Sequence, residues 1–366
     1  MASSKNVFSK DRRNLILAGL CIGVVSVLLV IFGNPKNMGF CIACFIRDIA
    51  GATKLHTAGV VQYMRPEILG LVLGAFVISV ATGEFKPRGG SSPILRFFIS
   101  FMVMIGALAF LGCPFRMILR LSAGDLNALV GFVGFTAGIA TGAFFLNRGF
   151  SLGRAQNQNR IEGVALPSVT LLLLVLAIAA PTMFAASEKG PGSMHAAIGI
   201  SLVAGLLVGV LAQRTRLCMV GGIRDTLLLK DPTLLMGFAA IFVAALLTNI
   251  FTGNFNIGFE GQPVAHTGHI WNFLGMFVVG LGSVLVGGCP LRQLILAGEG
   301  STDSAVSVLG MFVGAAFAHN FDLAGKAGTT EGLSTRGRVV VILCVVVLLC
   351  IASIVTFVKN KPEKKA

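Results

Sequence analysis

The chain has 366 residues, of which 55% are hydrophobic and only 12% are charged, against roughly 25% charged residues in an average soluble domain. The mean hydropathy of +0.87 excludes an ordinary soluble protein and predicts an all-α polytopic membrane protein in contact with membrane lipid. A net charge of +14 does not favour a nucleic-acid partner, because the basic residues lie in short runs between apolar blocks, as in the loops of membrane proteins.

Ten apolar segments are long enough, or nearly long enough, to cross a bilayer as helices of about 20 residues. In chain order the predicted spans are 14–33, 67–83, 94–112, 126–146, 165–186, 196–213, 233–251, 270–287, 304–319 and 339–358. The first apolar run is too long for the core of a signal peptide, and no small-residue cleavage site follows it. We therefore expect it to remain as a span, after a basic cytoplasmic tail at residues 1–13.

The positions of Lys and Arg set the expected orientation, because these residues concentrate in cytoplasmic loops. With the amino terminus inside, the loops that contain Arg88, Arg154 and Arg224 are cytoplasmic, and loop 252–269, which has no Lys or Arg, lies outside. Loop 321–338 is placed outside by this orientation although it carries three basic residues, so it is an exception to the rule. The majority predicts that both termini, including a basic tail at 359–366, are cytoplasmic.

Two cysteine motifs occur twice, in the same order. Residues 40–48 align with residues 217–225 at an offset of 177, and Gly112–Arg116 aligns with Gly288–Arg292 at an offset of 176. Agreement of both motifs in order and spacing indicates an internal duplication.

The duplication predicts an inverted repeat, because five spans in each half bring the second half into the membrane from the opposite side. We expect repeat 1 at 14–186, a linker at 187–194 and repeat 2 at 195–358. Transporters with inverted repeats place the substrate path at the interface between the repeats. Accordingly, Cys41 and Cys113 would approach from the outside, and Cys218 and Cys289 from the cytoplasm.

The motif Gly-Cys-Pro-x-Arg predicts the start of a short re-entrant or broken helix. Glycine permits a break, proline is favoured at the first helical position, and the cysteine then lies at or near the N-cap. The free N–H groups and the dipole at such an end favour an anion, and the arginine could reach the same side; a kink with a buried thiol is the alternative. The motif residues are Gly112, Pro114 and Arg116 in the first copy and Gly288, Pro290 and Arg292 in the second.

The motif Cys-x5-Arg-Asp places a charged pair in a chain that has few charges. Intramembrane charges usually mark a pathway, so Arg47 and Arg224 are candidate path residues, with solvation at the membrane surface as the alternative. Adjacent residues on a helix do not face each other. The pattern therefore leaves the pairing partners of these charges open.

The remaining cysteines give weaker signals. Cys41 and Cys44 form a C-x-x-C pair, but no second pair follows at zinc-site spacing, and the counterpart of Cys44 in the second copy is Gly221. A reversible disulfide between Cys41 and Cys44 stays open. Cys21, Cys344 and Cys350 lie in apolar runs and are expected to be packing residues. We predict no metal, no cofactor and no catalytic residue.

These motifs, and most specifically the two Gly-Cys-Pro-x-Arg copies, resemble the YeeE/YedE family of sulphur-transport membrane proteins over about residues 14–358. The likeness is closest to the YedE branch, which is associated with selenium transport. It implies a non-enzymatic importer of a small sulphur or selenium anion, such as thiosulfate, in the bacterial cytoplasmic (inner) membrane. It also implies a relay of path cysteines and a cytosolic acceptor, either a TusA-like sulphur carrier or a selenium-handling protein. The path cysteines would be Cys41, Cys113, Cys218 and Cys289.

The residues favour the same chemistry, because a soft anion passes best between weak sites in series, whereas a hard anion would need more Arg and Lys. Two other functions stay open. A membrane thiol-disulfide oxidoreductase would use Cys41 and Cys44, and a sulphurtransferase would form a persulfide on one cysteine. Neither explains why the cysteine motifs are duplicated.

Overall fold

The computed structural model describes residues 2–358, and side chains for residues 11–357; the predicted tail at 359–366 lies outside them. This part of the chain forms fourteen α-helices and one short antiparallel strand pair. The helices are α1 (Ala2–Ile31), α2 (Ile42–Ala52), α3 (Pro66–Ala81), α4 (Pro93–Ala109), α5 (Pro114–Ser122), α6 (Asn127–Asn147), α7 (Arg160–Ala179), α8 (Ile198–Thr215), α9 (Met219–Leu229), α10 (Thr233–Phe251), α11 (His269–Leu285), α12 (Pro290–Gly298), α13 (Thr302–Asn320) and α14 (Thr335–Ser353). The strands are β1 (Arg88–Gly89) and β2 (Gln156–Asn157).

Ten longer helices occupy the positions of the ten predicted spans. Within residues 2–358, eight helical stretches are long and apolar enough to cross a membrane, and the shorter apolar helix Pro66–Ala81 adds to them. The prediction of an all-α polytopic membrane protein is therefore confirmed. Several boundaries differ from the prediction; the span predicted at 165–186, for example, ends as a helix at Ala179 because Pro181 disfavours helical backbone in the residue before it.

Four short helices of nine to eleven residues, α2, α5, α9 and α12, carry the motifs. Each begins directly after a cysteine that forms its N-cap. In α5 and α12 a proline occupies the first helical position, where its missing N–H has no helical partner to lose. The prediction of short broken helices that carry the cysteine motifs is confirmed.

The helices pack in pairs that are the same for both halves of the chain. If each helix of α1–α7 is exchanged with the helix seven places later, the set of packed pairs does not change. Helix α1 packs on α10 and α3 packs on α8, while α4 packs on α13 and α6 on α11. Glycines allow these close contacts: a Cβ at Gly134 would lie 2.2 Å from the Phe273 carbonyl oxygen, and a Cβ at Gly310 would lie 2.3 Å from that of Phe97. Such small-residue rows let helices approach closely in lipid, and this frame holds the four short helices inside the bundle.

Candidate functional site

The first-half motifs bring two buried thiols together. The side chains of Cys41 and Cys113 contact each other, and each is at most 1% exposed. The backbone N–H of Cys44 donates to Cys41 Sγ at 3.3 Å, and the N–H groups of Ala43 and Arg116 face the Cys113 thiol. The amino-terminal ends of α2 and α5 therefore converge on one pair of sulphur atoms.

The second-half motifs form a matching arrangement. The side chains of Cys218 and Cys289 contact each other, and the N–H of Gly221 donates to Cys218 Sγ at 3.3 Å. The N–H groups of Met219 and Arg292 face the Cys289 thiol. All four candidate path cysteines are thus N-caps of short helices, arranged as two contacting pairs, and such helix ends favour negative charge.

A third thiol, that of Cys44, is present only in the first half. Arg116 Nη1 lies 3.3 Å from Cys44 Sγ, and Cys44 Sγ lies 3.8 Å from the carbonyl oxygen of Leu111. Cys41 and Cys44 are both free thiols, so they are not joined by a disulfide in this structure.

Arg116 is fully buried and binds backbone carbonyls from three separate segments. Its Nε donates to the Asn37 oxygen at 2.6 Å, its Nη2 donates to the Val264 oxygen at 3.0 Å, and its Nη1 donates to the Leu111 oxygen. All three acceptor residues have left-handed backbone, with φ of 60°, 51° and 63° for Asn37, Val264 and Leu111. Among the side chains at 11–357, no carboxylate forms an ion pair with Arg116, so its charge is met by carbonyl dipoles and the Cys44 sulphur.

Arg292, which matches Arg116 in the second copy, has a different environment. Its Nη1 lies 3.1 Å from Oε1 of Glu299, and the two side chains are 13% and 11% exposed. The motif arginines thus both lie beside the contacting cysteine pairs, but one has a carboxylate partner and the other does not.

The adjacent Arg and Asp residues pair with each other, although neighbouring positions on a helix do not face each other. Arg47 binds Asp48 at 2.7 Å, and Arg224 binds Asp225 at 2.8 Å. A long guanidinium side chain bends around the helix to reach the neighbouring carboxylate, because burial leaves few other partners. Asp48 also binds Arg65 at 2.7 Å, with both side chains fully buried, whereas the Arg224–Asp225 pair is 29% and 20% exposed.

The sequence analysis missed Arg65 and a second buried ion pair, between Arg120 Nε and Asp125 at 2.7 Å. Arg120 Nη2 is buried and has no hydrogen-bond partner among the described residues. The spacing held a usable signal, since Arg120 follows Arg116 by one helical turn and shares its face of α5. Two arginines on one face of a short intramembrane helix would have marked this region as a candidate site.

A cavity of about 160 Å³ with both polar and apolar lining lies beside this cluster. Its lining includes Lys36, Asn37, Ala123, Asn249 and Gln262, so it reaches the residue whose carbonyl binds Arg116. A water molecule takes about 30 Å³, and the cavity therefore has room for a small polyatomic anion. Among the residues that the structure describes, no group of three or more His, Cys, Asp or Glu side chains could hold a metal ion.

Comparison with known proteins points to sulphur transport. Residues 214–366 match the family model described as "Sulphur transport". The chain is 35% identical over 118 residues to the thiosulfate transporter TsuA of Spirochaeta thermophila. The aligned region covers 32% of this chain and 35% of that protein. The chain is 30% identical over 146 residues to TsuA of Escherichia coli, which covers 39% of this chain and 40% of that protein. The chain thus spans 35% to 40% of the length of these two relatives. Residues 214–366 thus match the model of the sulphur-transport family, which agrees with the resemblance of the sequence motifs.

Proposed function

We propose that the chain imports a small sulphur-containing anion of the thiosulfate type along a path of cysteines. The observation that carries this proposal is the pair of thiol contacts, Cys41 with Cys113 and Cys218 with Cys289, each at two converging helix ends. The two matched relatives are named thiosulfate transporters, which supports the choice of anion.

The chemistry of the cysteine pairs suits a soft anion that must bind and leave. Backbone N–H groups and S–H donors supply hydrogen bonds and a positive helix end, while a thiol adds no full charge that would trap the ion. Two pairs in series permit transfer between weak sites. Arg116 and Arg292 offset part of the cost of removing the anion from water, and Arg47 and Arg224 place further guanidinium groups, each paired with an aspartate, on the neighbouring helices α2 and α9.

The direction of transport follows from an inverted arrangement of repeat 1 (14–186) and repeat 2 (195–358). Exchange of the two helix sets preserves the packing pairs, which supports the repeat, and the loop charges favour cytoplasmic termini. In this arrangement Cys41 and Cys113 receive the anion from the outside, and Cys218 and Cys289 release it to the cytoplasm. A TusA-like sulphur carrier in the cytoplasm would then accept the imported sulphur.

A selenium species is the second candidate substrate, because selenium anions share the softness and charge of their sulphur analogues. The deciding experiment measures uptake of ³⁵S-thiosulfate by cells that lack other uptake routes, with selenite and selenosulfate as competitors. We expect uptake that depends on the inserted protein and is inhibited by competitors that share the path. Uptake equal to that of cells without the protein, for labelled sulphur and selenium compounds alike, would overturn the proposal.

A further inference from the structure

The two halves differ in the charge that surrounds the motif arginine. Arg292 forms an ion pair with Glu299, and Arg116 forms none with any described side chain. The residue that matches Glu299 at the motif offset of 176 is Ala123. Both residues are C-caps of the corresponding helices, Ala123 of α5 and Glu299 of α12. A carboxylate is therefore present at the end of one motif helix and absent at the equivalent place in the other.

We propose that Glu299 is an internal counter-ion that competes with the transported anion for Arg292, so that the second half holds the anion more weakly than the first. This inference rests on the proposed function, and it assigns to Glu299 the role of a release residue. Glu299 lies outside the cysteine motifs, and its side chain binds Arg292, so it acts through Arg292.

The competition follows from simple electrostatics. A buried arginine without a carboxylate is costly, and an anion that binds Arg116 removes that cost. An anion that approaches Arg292 meets a charge that Glu299 already neutralises at 3.1 Å. Because both side chains are nearly nine-tenths buried, salt screens this pair much less than a surface pair.

The other buried charges of the two halves differ in the same direction. In the first half, four fully buried arginines, Arg47, Arg65, Arg116 and Arg120, share two aspartates. The buried carboxylate Glu67, whose Oε1 accepts hydrogen bonds from Asn34 and Ser201, adds a third acid, so that four buried arginines still face only three carboxylates.

In the second half, Arg224 and Arg292 each have one carboxylate partner, Asp225 and Glu299 respectively. The net charge of these groups is therefore positive in the first half and neutral in the second. This difference attracts an anion to the first half and favours its release from the second.

The test uses full-length protein in membrane vesicles of both orientations, with ³⁵S-thiosulfate as the probe. In Glu299→Gln the amide keeps a hydrogen-bond partner for Arg292 but removes the charge. We expect the half-saturating concentration measured from the cytoplasmic face to fall about tenfold, and the maximal uptake rate to fall as release becomes slower.

The reciprocal variant is Ala123→Glu, whose side chain has room in the adjoining cavity, with Ala123→Gln as its uncharged control. We expect Ala123→Glu to raise the half-saturating concentration from the outer face about tenfold relative to Ala123→Gln. Wild-type kinetics in Glu299→Gln together with equal kinetics in the two Ala123 variants would overturn this inference while thiosulfate transport itself stands. Absence of wild-type transport would instead remove the proposed function, and this inference with it.

Discussion

Gly134 lies against the carbonyl oxygen of Phe273, so closely that an added Cβ would be 2.2 Å from it, and α6 and α11 therefore touch through their backbones. Gly310 on α13 lies in the same way against Phe97 on α4. The two contacts are equivalent in the two halves. Gly310 is 176 residues after Gly134, and Phe273 is 176 residues after Phe97, which is the offset of the motifs. The close approach holds the ends of α5 and α12 in the centre of the bundle.

The first prediction concerns these helix contacts. Gly134→Ala and Gly310→Ala should each destabilise the protein by about 1–3 kcal/mol, because the new methyl group meets a backbone oxygen that cannot move independently of its helix. Gly199→Ala is the matched control, since Gly199 has open space around its Cβ position on α8. Thermal unfolding in detergent measures the effect, and equal melting temperatures for all three variants would contradict the close packing.

The second prediction separates path cysteines from packing cysteines. Cys113→Ala and Cys289→Ala should abolish thiosulfate uptake with the protein still inserted, because each removes one sulphur of a contacting pair. Cys344→Ala and Cys350→Ala, which alter thiols on α14, should have little effect. Uptake is measured per inserted protein, and equal loss in all four variants would mean that the cysteines serve packing alone.

Cys44 decides between transport and the oxidoreductase alternative. An oxidoreductase that uses Cys41 and Cys44 would keep its activity in Cys289→Ala and lose it in Cys44→Ala. The transport proposal instead expects Cys289→Ala to abolish uptake. Thiol oxidation assays and uptake assays on the same two variants give the answer.

The third prediction concerns the motif arginines. Arg116→Ala should reduce uptake about tenfold or more, and Arg116→Lys should keep part of it, because lysine retains the charge but cannot bind three carbonyls in one plane. Arg292→Ala should lower the maximal rate rather than raise the half-saturating concentration, since Arg292 would act at release. Normal uptake per inserted protein in both alanine variants would remove the arginines from the mechanism.

The fourth prediction tests the membrane orientation. In a Cys350→Ala background, Glu260→Cys should react with a membrane-impermeant maleimide from outside, and Arg154→Cys should react only after the membrane is opened. Both positions are exposed. Labelling of Glu260→Cys from the cytoplasmic side alone would contradict the inverted repeat.

The fifth prediction concerns His266, which lies in the loop before α11 and is fully buried. Its Nε2 binds the Ala109 oxygen at 2.8 Å and must carry the proton, while Nδ1 accepts the N–H of Gly268 at 3.2 Å. Burial lowers the pKa of His266 to about 4, against about 6.5 in an unfolded chain. The unfolded state therefore binds more protons between these values, and the stability that His266 contributes is complete above pH ~6.5 and is lost as the pH falls towards 4.

The measurement is the melting temperature between pH 7 and pH 4.5. Wild type should lose more stability over this range than His266→Gln, and His269→Gln controls for the loss of an exposed imidazole nearby. Parallel curves for wild type and His266→Gln would show that His266 does not carry this proton linkage.

Hydropathy and the Gly-Cys-Pro motif predicted the ten long helices and the short helices of the motifs, because both depend on residues close in sequence. The partners of the charged residues could not be predicted in the same way. Arg116 binds the oxygen of Val264, 148 residues away. Arg65 binds Asp48 because the segment between α2 and α3 brings the two side chains together. These contacts depend on which helices and loops pack around each side chain, and residues that are close in sequence do not encode that packing.

The backbone at Asn37, Leu111 and Val264 gives Arg116 a thermodynamic role beyond charge. Left-handed backbone in a non-glycine residue costs on the order of 1–3 kcal/mol, and one guanidinium holds the carbonyls of all three residues. An anion that takes hydrogen bonds from Arg116 therefore frees strained segments to relax. Occupancy of Arg116 and the shape of the loop around Val264 are then linked, and linkage is reciprocal: an antibody fragment that fixes this loop would change anion affinity by the same factor by which the anion changes antibody affinity.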